Sequence, residues 1–192
     1  NEVIKKIKLG NMSTLNSPEE VALANELLKI HKWADMAKFA RSGGEANALA
    51  IRIARASSRK DHIAICGYHG WHDWYLSVNL KNPNNLNEHL LPGLEPLGVP
   101  RTLKNTTHPF TYGNINELYR IIKKYDLAAV KMEVGRSNLP DVNFLKQVRD
   151  LTSKKKIILI FDECTSGFRR NLGGLHLTTG VNPDMAMFGK AL

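Results

Sequence analysis

Only two cysteines, Cys66 and Cys164, occur in 192 residues. They form no CxxC pair and no framework of bridges, which excludes a disulfide scaffold. Reduced thiols in a cytoplasmic protein are the expectation. No apolar run reaches the roughly 18–20 residues that a membrane helix needs, so no membrane partner is expected. The net charge is +9, yet no aromatic-rich basic stretch and no known nucleic-acid motif goes with it. A solvated basic surface is therefore expected, with no nucleic-acid partner. Much of the charge lies in Lys5-Lys6-Lys8, Lys123-Lys124 and Lys154-Lys155-Lys156. The last two groups fall where helices are predicted to end, and cations interact well with the dipole there. The G-x-G-x-x-G fingerprint is missing after the first strand, which argues against an ordinary Rossmann nucleotide binder. A G-x-S-x-G elbow is missing too, which argues against a Ser/His/Asp hydrolase. His69 and His72 stand three apart in a glycine-containing loop with no fixed geometry and no cysteine cluster beside them, so no metal is expected. No internal repeat or low-complexity segment is evident.

Hydrophobic residues make up 43% of the chain and charged residues 23%. These are ordinary values for a globular protein with one sizeable core or two small domains. Ser17-Pro18-Glu19-Glu20 signals a helix start: a cap, a proline for the first turn and a capping-box glutamate. Residues 35–40 read as a short Ala-rich strand. Glu45 to Ser58 is a helix with Ala46, Leu49, Ala50, Ile53 and Ala54 on one side. His62 to Cys66 is a short buried strand. Residues 76–110 are loop-rich, punctuated by Pro83, Pro92, Pro96, Pro100 and Pro109, and Val99 begins a short strand. Ile115 to Tyr125 is helical behind an Asn114 cap, and Leu127 to Met132 is a strand. Asp141 caps a helix running to about Ser153. Lys156 to Phe161 is the clearest strand, rich in isoleucine, and Met185 to Phe188 is another.

Helices and doubly apolar strands alternate. That pattern predicts an α/β fold, a mostly parallel sheet with helices on both faces. Strand ends of one sense then share one edge, and ligands bind outside the carboxyl ends. Ser42-Gly43-Gly44, Tyr68, Glu133, Asp162 and Lys190 each sit at or just after such an end. Gly43-Gly44 precedes a helix, where bare backbone approaches an anion closely and free N–H groups point at it; a tight turn with no ligand reads the same way. Asp162 follows an apolar run. A carboxylate there is costly unless a cation or hydrogen bonds hold it. It suits a pyridine nitrogen, or it caps the next turn or pairs with Arg169. Lys190 suits an imine with an aldehyde and then proton transfer, although a lysine at a strand end is usually a solvated surface residue. An amine, a carboxylate and a phosphate-sized glycine turn are what an enzyme needs to hold pyridoxal phosphate.

Arg41-Ser42-Gly43-Gly44-Glu45-Ala46-Asn47 with Arg52-Ile53-Ala54-Arg55, then Gly67-Tyr68-His69-Gly70, then Met132-Glu133, follow one another along the chain. Phe161-Asp162-Glu163-Cys164-Thr165-Ser166-Gly167-Phe168-Arg169, Pro183-Asp184-Met185 and Gly189-Lys190-Ala191-Leu192 complete the series. In order and spacing this resembles the class III aminotransferases, fold type I pyridoxal-phosphate enzymes, and within them the glutamate-1-semialdehyde aminomutase-like branch. The resemblance implies that Gly43 and Gly44, with Ser42, hold the cofactor phosphate. It implies that Tyr68 covers one ring face and that His69 supports its loop near the substrate. Glu133 helps order the site, and Asp162 pairs with the pyridine nitrogen. Cys164 packs under the ring, Thr165 lies near the phenolic oxygen, and Lys190 carries the aldimine. The implied catalytic pair is Lys190 and Asp162.

The implied activity is transfer of an amino group from a small-molecule amino donor to a carbonyl acceptor, as an aminotransferase or a 2,1-aminomutase. A sugar aminotransferase, or another reaction on the same cofactor, is the neighbouring alternative. A catalytically incompetent fragment or a basic α/β binding module is the non-enzymatic one. The family usually has Thr or Ser where Gly44 stands, Pro where Val134 follows Glu133, and Val or Ile where Cys164 stands. The chain corresponds to about the central half of such an enzyme. Residues 1–192 are thus expected to be a partial, incomplete major domain without the N-terminal segment and small C-terminal domain. This piece alone is expected to bind cofactor poorly and to be inactive; intact, the protein is expected to be a homodimer.

Overall fold

Apolar strands in alternation with amphipathic helices produce the architecture of the computed structural model, which describes residues 2–9, 17–89, 93–135 and 138–192. Pro92 and the side chains of Lys6 and Lys8, read above as loop punctuation and basic surface, lie outside the described residues. The chain divides into two compact units, Asn1–Lys38 and Phe39–Leu192.

The first unit carries α1 (Glu2–Leu9) and α2 (Pro18–Ile30). The capping box forms as its chemistry requires. Glu20 N–H donates to Ser17 Oγ at 3.3 Å, and the Glu20 carboxylate accepts from Ser17 N–H at 3.1 Å. Each bond satisfies a donor that the first helical turn leaves open.

The second unit is α/β. Its elements are α3 (Gly43–Ser58), β1 (His62–Cys66), α4 (Asp73–Leu76), β2 (Thr107–Pro109), α5 (Ile115–Lys124), β3 (Leu127–Glu133), α6 (Val142–Lys154), β4 (Ile158–Asp162), α7 (His176–Thr179) and β5 (Met185–Met187). The five strands form one sheet in the order β2-β1-β3-β4-β5, and every pair is parallel. Asn114 and Asp141 cap α5 and α6 by accepting from Glu117 N–H and Phe144 N–H. Lys123, Lys124 and Lys154 fall in the last turns of these two helices.

Period-2 alternation sends strand side chains to opposite faces. Ala64, Cys66, Val130, Met132, Leu159 and Phe161 pack with Leu118 of α5 and with Phe144, Leu145 and Val148 of α6. Ile63, Ile65, Ala129, Ile160 and Met187 pack with Ala50, Ile51 and Ala54 of α3. Helices thus cover both faces, and both strand surfaces are dry. The register between β1 and β3 shifts between His62 and Ile63, which pair with Leu127 and Ala129. The bulge leaves Ala128 as the extra residue and resets the phase of β3. Beyond it, Val130 and Met132 face α5 and α6, while Ala129, Lys131 and Glu133 share the α3 face.

Three local readings are corrected. Residues 35–40 form no strand; they find no ladder partner among the described residues, and extended Ala-rich backbone without one does not persist as a strand. Val99 lies in a loop, and the short strand is Thr107–Pro109 instead. Pro109 is tolerated because β2 is an edge strand. The helix expected from Glu45 begins at Gly43, with Ser42 as its cap.

The packing predicts a contrast within α6. Leu145 has no exposed surface, whereas Val142 of the same helix is exposed. Leu145→Ala is expected to cost about 2–5 kcal/mol, and Val142→Ala to stay within about 0.5 kcal/mol. Urea unfolding of the two variants checks this.

Candidate active site

A parallel sheet delivers all its strand ends to one edge. Glu133 and Asp162, the last residues of β3 and β4, are direct partners in register, as are Asp162 and Met187 of β5. The sequence-predicted residues Tyr68 and His69 follow β1, Cys164 and Thr165 follow β4, and Lys190 follows β5. Parallel pairing thus brings these residues to a common edge.

Asp162 is the most constrained of them, with 5% of its surface exposed. Its Oδ2 accepts from His69 Nδ1 at 2.8 Å and lies 3.4 Å from Lys131 Nζ. Its Oδ1 accepts from Cys164 N–H at 3.1 Å. The carboxylate therefore does cap the following turn. Its cation is Lys131 rather than Arg169. Burial by itself raises the Asp162 carboxyl. The Lys131 ammonium and the His69 bond outweigh that effect and hold it well below the usual carboxylate range. Burial pushes His69 down to about 4, against the opposing pull of Asp162. The ring is thus neutral, with Nδ1–H donating to the carboxylate. Its Nε2 is buried without a hydrogen-bond partner among the described residues. Burial also lowers the Lys131 ammonium, and Asp162 pushes it back.

The exit from β1 is held by backbone geometry. Gly67 has φ +107°, and an added Cβ would strike the Glu133 carboxylate. The turn then passes Tyr68 N–H to Glu133 Oε2 at 3.3 Å. Gly70, with φ +96°, lets a Cβ position come within 3.3 Å of Gly44 Cα. Asn47 Nδ2 donates to His69 O at 3.1 Å, which joins α3 to the same loop. Tyr68 is half-buried and meets Tyr75 edge-on.

At the α3 start, Ser42 Oγ accepts from Glu45 N–H at 3.2 Å. Gly43 and Gly44 N–H have no protein acceptor among the described residues, as the geometry of a helix start dictates. A Cβ on Gly43 would sit 3.4 Å from Cys164 Sγ, and one on Gly189 would sit 3.6 Å from the same sulfur. Three chain segments therefore meet around Cys164. Lys190 is exposed, adopts φ +56° and donates from Nζ to Thr165 Oγ1 at 2.9 Å.

Glu163 anchors the loop after β4. It is fully buried and accepts from Ser166 Oγ, Leu175 N–H, His176 N–H and His176 Nδ1 at 2.9, 2.6, 3.1 and 2.6 Å. Sequence reasoning missed this anchor and missed Lys131. The first left no signal, since His176 and Leu175 lie far along the chain. The second did leave one: a lone lysine inside an apolar strand, two residues before Glu133. A surface cleft of about 360 Å³, lined among others by Lys81, His108, Arg120 and Tyr125, shares no residue with this cluster.

The arrangement offers an exposed amine, a buried ionised carboxylate and free backbone donors on one sheet edge. A family model described as "Aminotransferase class-III" matches residues 1–192. A 3-aminobutyryl-CoA aminotransferase of Cloacimonas acidaminovorans is 33% identical, over 99% of this chain and 44% of its own length. A glutamate-1-semialdehyde 2,1-aminomutase of Sulfolobus acidocaldarius is 32% identical, over 100% of this chain and 46% of its own. An omega-transaminase from Sphaerobacter thermophilus superposes with TM-score 0.80 at 29% identity, covering 98% of this chain and 45% of that one. A Pseudomonas aeruginosa glutamate-1-semialdehyde aminomutase in complex with PMP, at TM-score 0.76 and 21% identity, shares the fold; it covers 98% of this chain and 42% of that one. The chain spans less than half the length of the curated relatives named here.

Buried neutral His69 predicts an acid dependence. Unfolded, the imidazole takes its proton near the ordinary 6.5; folded, it does so only near 4. Between these values the unfolded state binds more protons, so stability is full above 6.5 and falls as pH is lowered toward 4. The His69 share is up to about 3 kcal/mol. His108, pushed by burial to about 4, adds its own slope. Urea midpoints across this interval are expected to decline in the parent, and to decline less steeply in His69→Gln.

Proposed function

The chain belongs to the class-III aminotransferases, and on that premise we propose that it supplies part of a pyridoxal-phosphate site for amino-group transfer between an amino donor and a carbonyl acceptor. Enzymes of this class use pyridoxal phosphate, and a solved transaminase and a solved taurine:2-oxoglutarate aminotransferase of the same fold contain it. The residues present fit such a group. Gly43 and Gly44 open α3, whose first N–H groups lie beyond the helix's own bonding; Cβ positions on Gly43 and Gly189 would both touch Cys164 Sγ, and one on Gly44 would meet the His72 ring. Asp162 is held ionised within the same edge.

On this reading Gly43 and Gly44, at the start of a long helix, bind the phosphate through their N–H groups, with Ser42 beside them. Asp162 holds the ring nitrogen, and His69 orients Asp162 through its Nδ1–H. Tyr68 covers one ring face, Cys164 lies under the other, and Thr165 stands near the phenolic oxygen. Glu133 fixes the Tyr68 backbone from the neighbouring strand end. When bound, the cofactor supplies an aldehyde for amine exchange and a ring that withdraws charge from the substrate α-carbon. Lys190 Nζ is the amine that would hold the cofactor through its aldehyde. When free, the same amine would serve to hold or move the proton of the substrate α-carbon.

The observation that carries the reading is the Lys190–Thr165 bond of 2.9 Å on the same edge as Asp162. It points the Lys190 amine toward the loop that leaves β4. The reading extends to small-molecule substrates and to a homodimeric, cytoplasmic whole protein of which residues 1–192 are part of the major domain. It stops at the reaction class that the aminotransferase and aminomutase relatives share.

Borohydride trapping tests it. After incubation with pyridoxal phosphate and reduction, peptide mass mapping is expected to find the fixed adduct chiefly at Lys190. Saturation is expected only at high cofactor concentration in this chain, and Lys190→Ala removes the adduct. An adduct spread evenly over surface lysines overturns the reading.

A further inference from the structure

Lys131 has no role in the assignments above, yet it is the least ordinary residue at the site. It has no exposed surface. It lies in β3 on the face that α3 covers, two residues before Glu133. Its Nζ stands 3.4 Å from Asp162 Oδ2 and donates to Met187 Sδ at 3.1 Å. Sulfur is a weak acceptor for an ammonium with three donors. The carboxylate is therefore the group that makes a buried charge tolerable there. The same Oδ2 already accepts from His69, and Oδ1 from Cys164 N–H.

Counting charge shows the consequence. Asp162 carries one negative charge, Lys131 one positive charge and His69 none, and the Glu133 carboxylate two residues along β3 also acts on Lys131. A protonated ring nitrogen brought to Asp162 would be a second cation on the one carboxylate, beside the Lys131 ammonium that stands 3.4 Å from Oδ2. A like charge this close in a dry site disfavours the second cation. With Lys131 replaced by an apolar side chain, Asp162 and a protonated ring nitrogen balance.

We propose that Lys131 is a resident counter-cation that competes with the ring nitrogen of pyridoxal phosphate for Asp162. The chain accordingly holds that nitrogen largely unprotonated and binds the cofactor less tightly than Asp162 otherwise allows. This rests on the reading of Asp162 as the ring-nitrogen partner. Lys131 is a positioning residue here: it acts on the cofactor through Asp162, and it tunes how much charge the ring withdraws.

The test uses pyridoxal phosphate labelled with ¹⁵N in the ring, the parent chain, and the variants Lys131→Met and Lys131→Gln. The parent is expected to show the unprotonated ring-nitrogen shift. Lys131→Met is expected to move that shift toward the protonated value and to tighten binding about tenfold, the effect of roughly one recovered pKa unit of pairing. Lys131→Gln, which keeps a donor without the charge, is expected to move both in the same direction. A protonated ring nitrogen in the parent overturns the proposal without any variant. So does an unchanged shift and affinity in the variants, even where they are less stable, since that marks Lys131 as packing only. These results leave the cofactor site standing if the adduct at Lys190 forms. Absence of that adduct in parent and variants alike overturns the site reading, and this inference with it.

Discussion

A carboxylate at the end of an apolar strand has to be answered by its neighbours, and the Asp162 cluster is how this chain answers. Desolvation alone would force the group to take up a proton. Instead a neutral imidazole, an ammonium and a backbone N–H converge on its two oxygens. Each comes from a different segment: the loop after β1, the interior of β3, and the turn after β4. Satisfying one charge therefore orders three pieces of chain, and the candidate site follows from that order.

Parallel pairing makes such convergence possible. Glu133 and Asp162 stand opposite each other because β3 and β4 run the same way in matched register. The bulge at Ala128 decides which face Lys131 takes. One residue of slip would turn Lys131 toward α5 and α6, where the partners are Leu118, Phe144 and Val148, and away from Asp162. The glycines serve the same end. Gly67 and Gly70 adopt left-handed backbone where the loop must pass against Glu133 and Gly44. A side chain at either point would push the Tyr68-His69 segment off the sheet edge.

Much of this was legible in the sequence, and the boundary has physical causes. Caps at Ser17, Asn114 and Asp141 were readable because capping is local: donor and acceptor lie three residues apart. Strand ends were readable because Asp162 and Glu133 stop apolar runs. The partners of Asp162 were not readable, since pairing across a parallel sheet joins residues that crossovers separate. Lys131 was within sight, a charge embedded in Leu127–Met132, but a strand read as apolar conceals it. The segment at 35–40 failed for the opposite reason. Its composition allows a strand, and composition says nothing of whether a partner exists. Thr107–Pro109 was passed over because proline argues against strands, and an edge position lifts that objection.

Asp162 and Glu163 show how far adjacent residues can diverge in consequence. At the end of an extended strand, neighbours face opposite sides of the sheet. Asp162 looks to the α3 face and gathers His69 and Lys131. Glu163 looks to the other face and gathers Ser166, Leu175 and His176, beside Phe161. The link between them is backbone, with Glu163 N–H donating to Met187 O at 2.8 Å, while the Met187 side chain accepts from Lys131. β5 is thereby tied to the Glu163 main chain through its own main chain and to Lys131, the cation of Asp162, through its sulfur. The three residues after Met187, ending at Lys190, inherit that anchorage. The position of the Lys190 amine beside Thr165 thus depends on two buried acids that never touch it.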